Sequence, residues 1–115
     1  MEAVSTPEEG RRRADELLRL LTDDDDAAAE RLLAGLTDAR DLVFVGAALT
    51  ATARAEGRQL PPAQRAQAST RQVRLGQLRD SNRGDPEGLR TWLRRSAEEI
   101  LLIRSLRATA DRVTG

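Results

Sequence analysis

Apolar side chains return every three or four residues along most of this chain, the spacing that places them on one face of an α-helix. Prolines, glycines and a run of aspartates interrupt the pattern and divide it into segments. The segments predict five helices, at residues 7–21, 24–36, 38–57, 62–80 and 86–109. Short alternating runs of β-branched residues, which are typical of strands, do not occur. The pattern therefore predicts an all-α fold, a compact bundle of about five helices with short loops.

Residues that favour helix starts support these boundaries. Thr6 is predicted to cap the first helix, with Glu9 at the position that completes a capping box. Asp23 or Asp24 is predicted to cap the second helix, and Thr37 the third. The length of the chain predicts a single helical domain over residues 1–115, with residues 1–5 and 110–115 expected to fray.

The third helix is apolar around much of its circumference, which is typical of a central position in a bundle. Its predicted core face is Ala39, Leu42, Val43, Gly46, Leu49, Thr50 and Ala53. Phe44 and Val45 lie outside that face on a helical wheel. The predicted core face of the last helix is Leu89, Trp92, Leu93, Ser96, Ile100, Ile103 and Leu106.

The last helix carries more apolar residues than one face needs. Leu101 and Leu102 lie about 100° and 200° from Ile100, so with Leu106 they make this part of the helix apolar nearly all round. Trp92 belongs to a residue type that often anchors protein interfaces. These four residues, Trp92, Leu101, Leu102 and Leu106, predict an interface with a partner protein or with a second copy. The alternative is that a small bundle uses the extra leucines in its own core.

The composition excludes most enzyme chemistry. The chain has no cysteine, histidine, tyrosine or lysine, so any general base would have to be a carboxylate. The run Asp23–Asp26 lacks the alternating spacing and the glycine of a calcium loop, and helix capping explains it better than metal binding. We therefore expect no catalytic residue, no metal, no cofactor and no small-molecule substrate.

The net charge is zero, but the charges are unevenly distributed. Residues 1–56 hold 7 arginines and 13 acids, whereas residues 57–84 hold 6 arginines and 1 acid. Arginine and glutamine can contact phosphates and base edges, so the basic segment allows a nucleic-acid surface. Its candidate residues are Arg58, Arg65, Gln72, Arg79 and Arg83, with Arg90 and Arg94 on the next helix. The alternative is a solvated helix face whose arginines pair with the acidic N-terminal half.

Nothing in the sequence predicts a signal peptide or a membrane span. The N-terminus has no apolar core, and the longest apolar run, residues 42–53, is too short to cross a bilayer. All 19 basic residues are arginine, which is typical of a bacterial genome rich in G and C. The sequence favours a cytoplasmic, non-catalytic module for protein–protein interaction, a bacterial regulatory or adaptor protein with a capacity to self-associate. The alternative is a DNA-binding regulator that contacts phosphates through the helix at residues 62–83.

Overall fold

This computed structural model describes residues 6–114, which contain five α-helices joined by short loops. They are α1 (Pro7–Thr22), α2 (Asp26–Ala34), α3 (Ala39–Gly57), α4 (Pro62–Ser81) and α5 (Pro86–Thr114). The predicted all-α fold, a small bundle, is confirmed. The predicted fraying of residues 1–5 lies outside the described residues, and α5 continues to Thr114, five residues beyond its predicted end.

The first two helices begin at acceptor side chains, as the sequence suggested, but one cap is displaced. Thr6 caps α1 as predicted, since its Oγ1 accepts a hydrogen bond of 3.1 Å from the Glu9 N–H. The predicted cap of α2 at Asp23 or Asp24 is wrong, because Asp25 accepts the capping bond. The two preceding residues are used to turn the chain, and Asp24 adopts a left-handed φ of 58° that aspartate tolerates.

The start of α3 also differs from the prediction. Asp38, not Thr37, caps the helix, and its carboxylate accepts a bond of 2.8 Å from the Arg40 N–H. Leu36 is buried in the core, so the chain needs Thr37 as a connecting residue before the helix can begin. The predicted boundary is therefore one residue early.

The helices α3 and α5 form the centre of the bundle. α1 packs along one side of α3, and α4 packs mainly on α5. Fully buried side chains from α1, α3 and α5 interlock here, namely Leu17, Leu42, Val45, Leu49, Leu93, Ile100 and Ile103. The predicted core face of α5 is confirmed as far as Ile103, and Leu106 is half-buried against the core.

The predicted core face of α3 needs a correction. Val45 is fully buried, whereas Val43 is 58% exposed. α3 packs against α1 and α5 at once, so its apolar arc is wider than one stripe and is rotated towards Val45. A single helical wheel cannot show this rotation, because it depends on where the two neighbours lie.

Arginine–carboxylate pairs fasten α5 to α3 and α4. Arg104 donates to both oxygens of Glu56 on α3, at 2.9 and 2.8 Å. These hydrogen bonds lower the pKa of Glu56 although its partial burial opposes them. Arg71 on α4 donates at 2.7 Å to Glu99, whose side chain is almost fully buried.

The described helices contain none that is both long and apolar enough to cross a membrane.

Candidate functional site: a groove between α3 and α4

An open groove runs between α3 and α4 and has α5 as its floor. Its volume is about 480 Å³. The lining residues, which define the groove, are Thr50, Ala53, Arg54, Gly57, Arg58, Arg65, Ala68, Ser69, Gln72, Val73, Gly76, Arg79, Trp92 and Ile103. The volume falls within the range of about 300–1,000 Å³ that is usual for ligand sites.

The groove exists because α4 buries little of its surface. Of its 20 residues only Ala68 and Leu75 are buried. The face that α4 turns towards α3 consists of arginines, small residues, one glutamine and one valine, which leave the space between the two helices unfilled. α4 is held instead by its neighbouring face, where Leu75, Leu78 and the Arg71–Glu99 pair meet α5. The sequence therefore leaves α3 and α4 apart.

The floor of the groove is apolar. Trp92 and Ile103 of α5 lie at its base, and both belong to the buried core. Small side chains continue the floor onto the walls, at Ala53 on α3 and Ala68 on α4. Val73 stands at the edge and is 61% exposed. The bottom of the groove is therefore apolar, and Trp92 and Ile103 expose only 4% and 1% of their surface.

Four arginines surround this floor, namely Arg54 on α3, Arg58 at the C-cap of α3, and Arg65 and Arg79 on α4. None of the described residues that line the groove is an aspartate or a glutamate. Arg54, Arg58 and Arg65 form no ion pair with any residue in the range 6–114. Arg79 shares the exposed carboxylate of Asp80 with Arg83 and lies 6.0 Å from the centre of the Trp92 ring. The walls are therefore positively charged.

The arginines are distributed along the groove instead of converging on one point. Arg65 and Arg79 are 14 residues apart on α4, so at about 1.5 Å per residue they stand about 21 Å apart along its axis. Arg54, in the last turn of the facing helix, and Arg58, its C-cap, lie one turn apart. A single anionic group cannot reach all four, so a ligand that uses them must carry negative charges along its length.

The groove gathers only some of the residues predicted to bind nucleic acid. Arg58, Arg65, Gln72 and Arg79 line it. Arg83 does not, and it pairs with Asp80. The remaining two lie on the surface that α5 shares with α2, away from the groove; they are Arg90 and Arg94.

Those two arginines are engaged inside the protein. Arg90 donates to the Leu36 carbonyl oxygen at 3.2 Å. Arg94 pairs with Asp26, Glu30 and Glu98. Although partial burial opposes it, hydrogen bonds to Glu98 and Glu30 raise the pKa of Arg94 above its ordinary value. The acidic N-terminal half therefore neutralises an arginine of α5, and within residues 6–114 it pairs with no arginine of α4.

Arg54 was missed by the sequence reasoning. It lies in residues 1–56, which have a net negative charge, whereas the candidate arginines were chosen from the basic segment and from α5. One signal was present, because Arg54 is four residues before Arg58 and so shares its face of the helix.

The residues predicted to form an interface lie mostly within the bundle. Trp92 is 4% exposed. Leu101 and Leu106 are half-buried and pack against the core. Leu102 is 41% exposed and is the member of the set that reaches the surface. The bundle thus uses most of the extra apolar girth of α5 in its own interior.

Within residues 6–114 no group of three or more acidic side chains is arranged to hold a metal ion. Comparison with protein-family models, curated protein sequences and solved structures finds no match to this chain.

Proposed function

We propose that this protein is a cytoplasmic, non-catalytic interaction module, of a regulatory or adaptor kind, that binds an acidic amphipathic helix of a partner protein in the groove. The observation that carries the proposal is the line of four arginines, with no acid among the described lining residues, above an apolar floor. Charge complementarity selects an acidic partner, and the floor selects one with an apolar face.

A helix suits the shape of the groove. Trp92 and Ile103 are 11 residues apart on α5, so the floor extends about 16 Å. A helix of three to four turns, laid on this floor between α3 and α4, would complete a packed layer in the way that amphipathic helices fill hydrophobic grooves. Acidic side chains at its borders would then reach the arginines on both walls.

Nucleic acid fits the groove less well. A duplex is about as wide as the groove is long and needs a surface on which phosphates can lie, whereas these arginines border a depression with an apolar base. A single strand would bring phosphates along its length, but its bases need exposed aromatic rings for stacking, and Trp92 is buried. Arg90 and Arg94, moreover, are turned to another surface.

A second copy of the chain is also a poorer occupant. The exposed residues of α1 alternate in charge, with Glu8 and Asp15 among Arg11, Arg12 and Arg19. The exposed acids of α2, Asp26 and Glu30, already pair with Arg94 of the same chain. The self-association predicted from the sequence has its remaining support in Leu102.

The proposal can be tested by selecting binders from a library of displayed helical peptides of about 18 residues, long enough to span the groove. The immobilised full-length protein is the bait. Trp92 is the only tryptophan and lies in the floor, so its emission reports binding of each selected peptide in solution. We expect the enriched peptides to carry acids at the borders of an apolar face.

Two double variants supply the control. Arg54→Ala with Arg65→Ala removes two groove arginines, whereas Arg11→Ala with Arg31→Ala removes two exposed arginines elsewhere and leaves the same net charge. The groove variant should weaken binding at least tenfold, because a charge-assisted hydrogen bond contributes about 1.5–3 kcal/mol. The control variant should bind like the wild type.

Three results would contradict the proposal. One is a selection that enriches no peptide, and another is equal binding by the two double variants. The third is tighter binding of random duplex DNA than of any selected peptide, with a strong dependence on salt, which would favour the DNA-binding regulator instead. Sedimentation of the protein alone at micromolar concentration tests self-association, and a dimer broken by Leu102→Ser would assign that role to α5.

A further inference from the structure

Glycine inside a helix weakens it, so each such glycine calls for a reason. Three of the helix-interior glycines have one in the packing of the bundle. At Gly10 an added Cβ would lie 2.7 Å from the backbone of Phe44 in α3. At Gly46 it would overlap the Trp92 ring, and at Gly88 it would overlap the Asn82 side chain. At these positions the fold itself excludes a side chain.

Gly76, in the middle of α4, is different. The nearest atom to an added Cβ would be Nη2 of Arg79 at 3.8 Å, which is ordinary van der Waals contact with the end of a flexible side chain. Its φ is not positive, unlike that of Gly84 at 81°, so the backbone does not require glycine either. Neither packing nor conformation within the described residues explains this glycine.

The position of Gly76 in the groove supplies an explanation. Gly76 lines the groove together with Val73 one turn before it and Arg79 one turn after it, and the Trp92 ring lies at the base. A side chain at position 76 would occupy space inside the groove. The absence of one leaves a hollow beside the Arg79 guanidinium group, in the groove that Val73 and Trp92 also line.

We propose that the hollow at Gly76 is the subsite that receives a bulky apolar side chain of the bound helix. The inference rests on the proposed function and adds a position to it. Val73, 61% exposed, would be covered by that side chain. Arg79 would pair with an acid about one turn along the bound helix, so the ligand carries a bulky apolar residue and an acid three or four positions apart.

The test first fills the hollow with a side chain and then shortens, one at a time, the apolar side chains of the ligand. Gly76→Leu places a side chain in the groove, and Gln77→Leu places the same side chain on an exposed part of α4 outside it. The probes are the tightest peptide from the selection above and its variants with each apolar residue changed to alanine. Trp92 emission measures binding, and circular dichroism with the melting temperature shows that both protein variants are folded.

We expect Gly76→Leu to bind the parent peptide at least tenfold more weakly than the wild type, and Gln77→Leu to bind it unchanged. One alanine variant of the peptide should reverse this order. It should bind the wild type more weakly than the parent peptide does, and it should bind Gly76→Leu more tightly than the parent peptide does. Gly76→Ala, which adds one methyl group, should shift the preference in the same direction by a smaller factor. This variant keeps the test valid if Gly76→Leu folds poorly.

Two outcomes would overturn the inference. Unchanged affinity of Gly76→Leu for the parent peptide would mean that the ligand does not reach the hollow. An equal loss for the parent and for every alanine variant would mean a general disturbance and no subsite. In both cases wild type still binds a selected peptide through its arginines, so the proposed function would stand; if no peptide is selected at all, the proposed function fails first.

Discussion

The two sides of α3 differ in how closely a neighbouring helix approaches. On the α1 side, Gly10 lets its helix touch the backbone of α3 at Phe44, and Leu17 and Leu42 close the interface completely. On the α4 side the facing residues include Arg54 and Arg58, and the space between the helices stays open as the groove.

The difference shows that polar character as well as size decides whether two helices close. Small residues are present on both sides of α3, and by themselves they allow close contact. Guanidinium groups on the α4 side would have to leave water if the helices closed, and no carboxylate lies among the described lining residues to pair with them. The arginines therefore keep open a surface whose floor could otherwise be covered.

The largest change in the free energy of unfolding is expected at Trp92, which belongs to both the closed core and the open groove. Trp92 contacts Gly46 in the core and also forms the floor of the groove. Trp92→Ala should lower the free energy of unfolding by about 3–5 kcal/mol, the usual cost of removing a buried aromatic side chain. Chemical denaturation followed by circular dichroism measures it, since the variant has no tryptophan. A loss below about 1 kcal/mol would place Trp92 at the periphery of the core.

A smaller loss of unfolding free energy is expected from adding a methyl group where the core is already packed. Gly46→Ala would drive a methyl group into the Trp92 ring, which is rigid and buried. Overpacking of this kind destabilises a protein by about 1–3 kcal/mol. The free energy of unfolding from urea titration measures the change, and an unaltered midpoint would show that α3 and α5 can separate at low cost.

The matching substitution on the open side should act in the opposite direction. Gly76→Ala adds a methyl group where space is free and replaces a poor helix former by the best one. The free energy of unfolding should rise by about 0.5–1 kcal/mol in the same urea titration. Destabilisation would mean that the hollow beside Arg79 is narrower than described. A gain in stability combined with weaker peptide binding would be the strongest support for a binding role of Gly76.

The smallest effect concerns pH. Because hydrogen bonds from Arg104 lower the pKa of Glu56 below its ordinary value of 4.5, this pair stabilises the fold fully above that value, and the stabilisation is lost as pH falls through the lowered pKa. Glu56→Gln should make the fall of unfolding free energy between about pH 5 and pH 3 shallower, by less than about 1 kcal/mol. Denaturant titrations at stepped pH measure it.

Asp80 supplies the comparison on the open side. Hydrogen bonds from Arg79 and Arg83 lower its pKa as well, but the carboxylate is exposed to water. Asp80→Asn should therefore change the same pH dependence less than Glu56→Gln does. Equal effects would mean that the exposed arginines of α4 are more strongly coupled to folding than their exposure implies.

Much of the fold was readable from local pattern. Helix number, the start of α4 at Pro62 and the core face of α5 follow from periodicity and from capping residues, which act within a few positions of one another. The predicted caps of α2 and α3 and the predicted core face of α3 were wrong, at Asp25, Asp38 and Val45. Each depends on how the chain packs against neighbouring helices.

Local pattern in the sequence accounts for the five helices, the apolar face of α5 and the excess of arginine in residues 57–84. Which arginines act together depends on how the helices pack. Arg94 and Arg58 look alike in the sequence, yet one meets the acids of α2 and the other borders the groove. The physical reason is that charge pairing is set by distances between helices, whereas helix formation is set by neighbours along the chain.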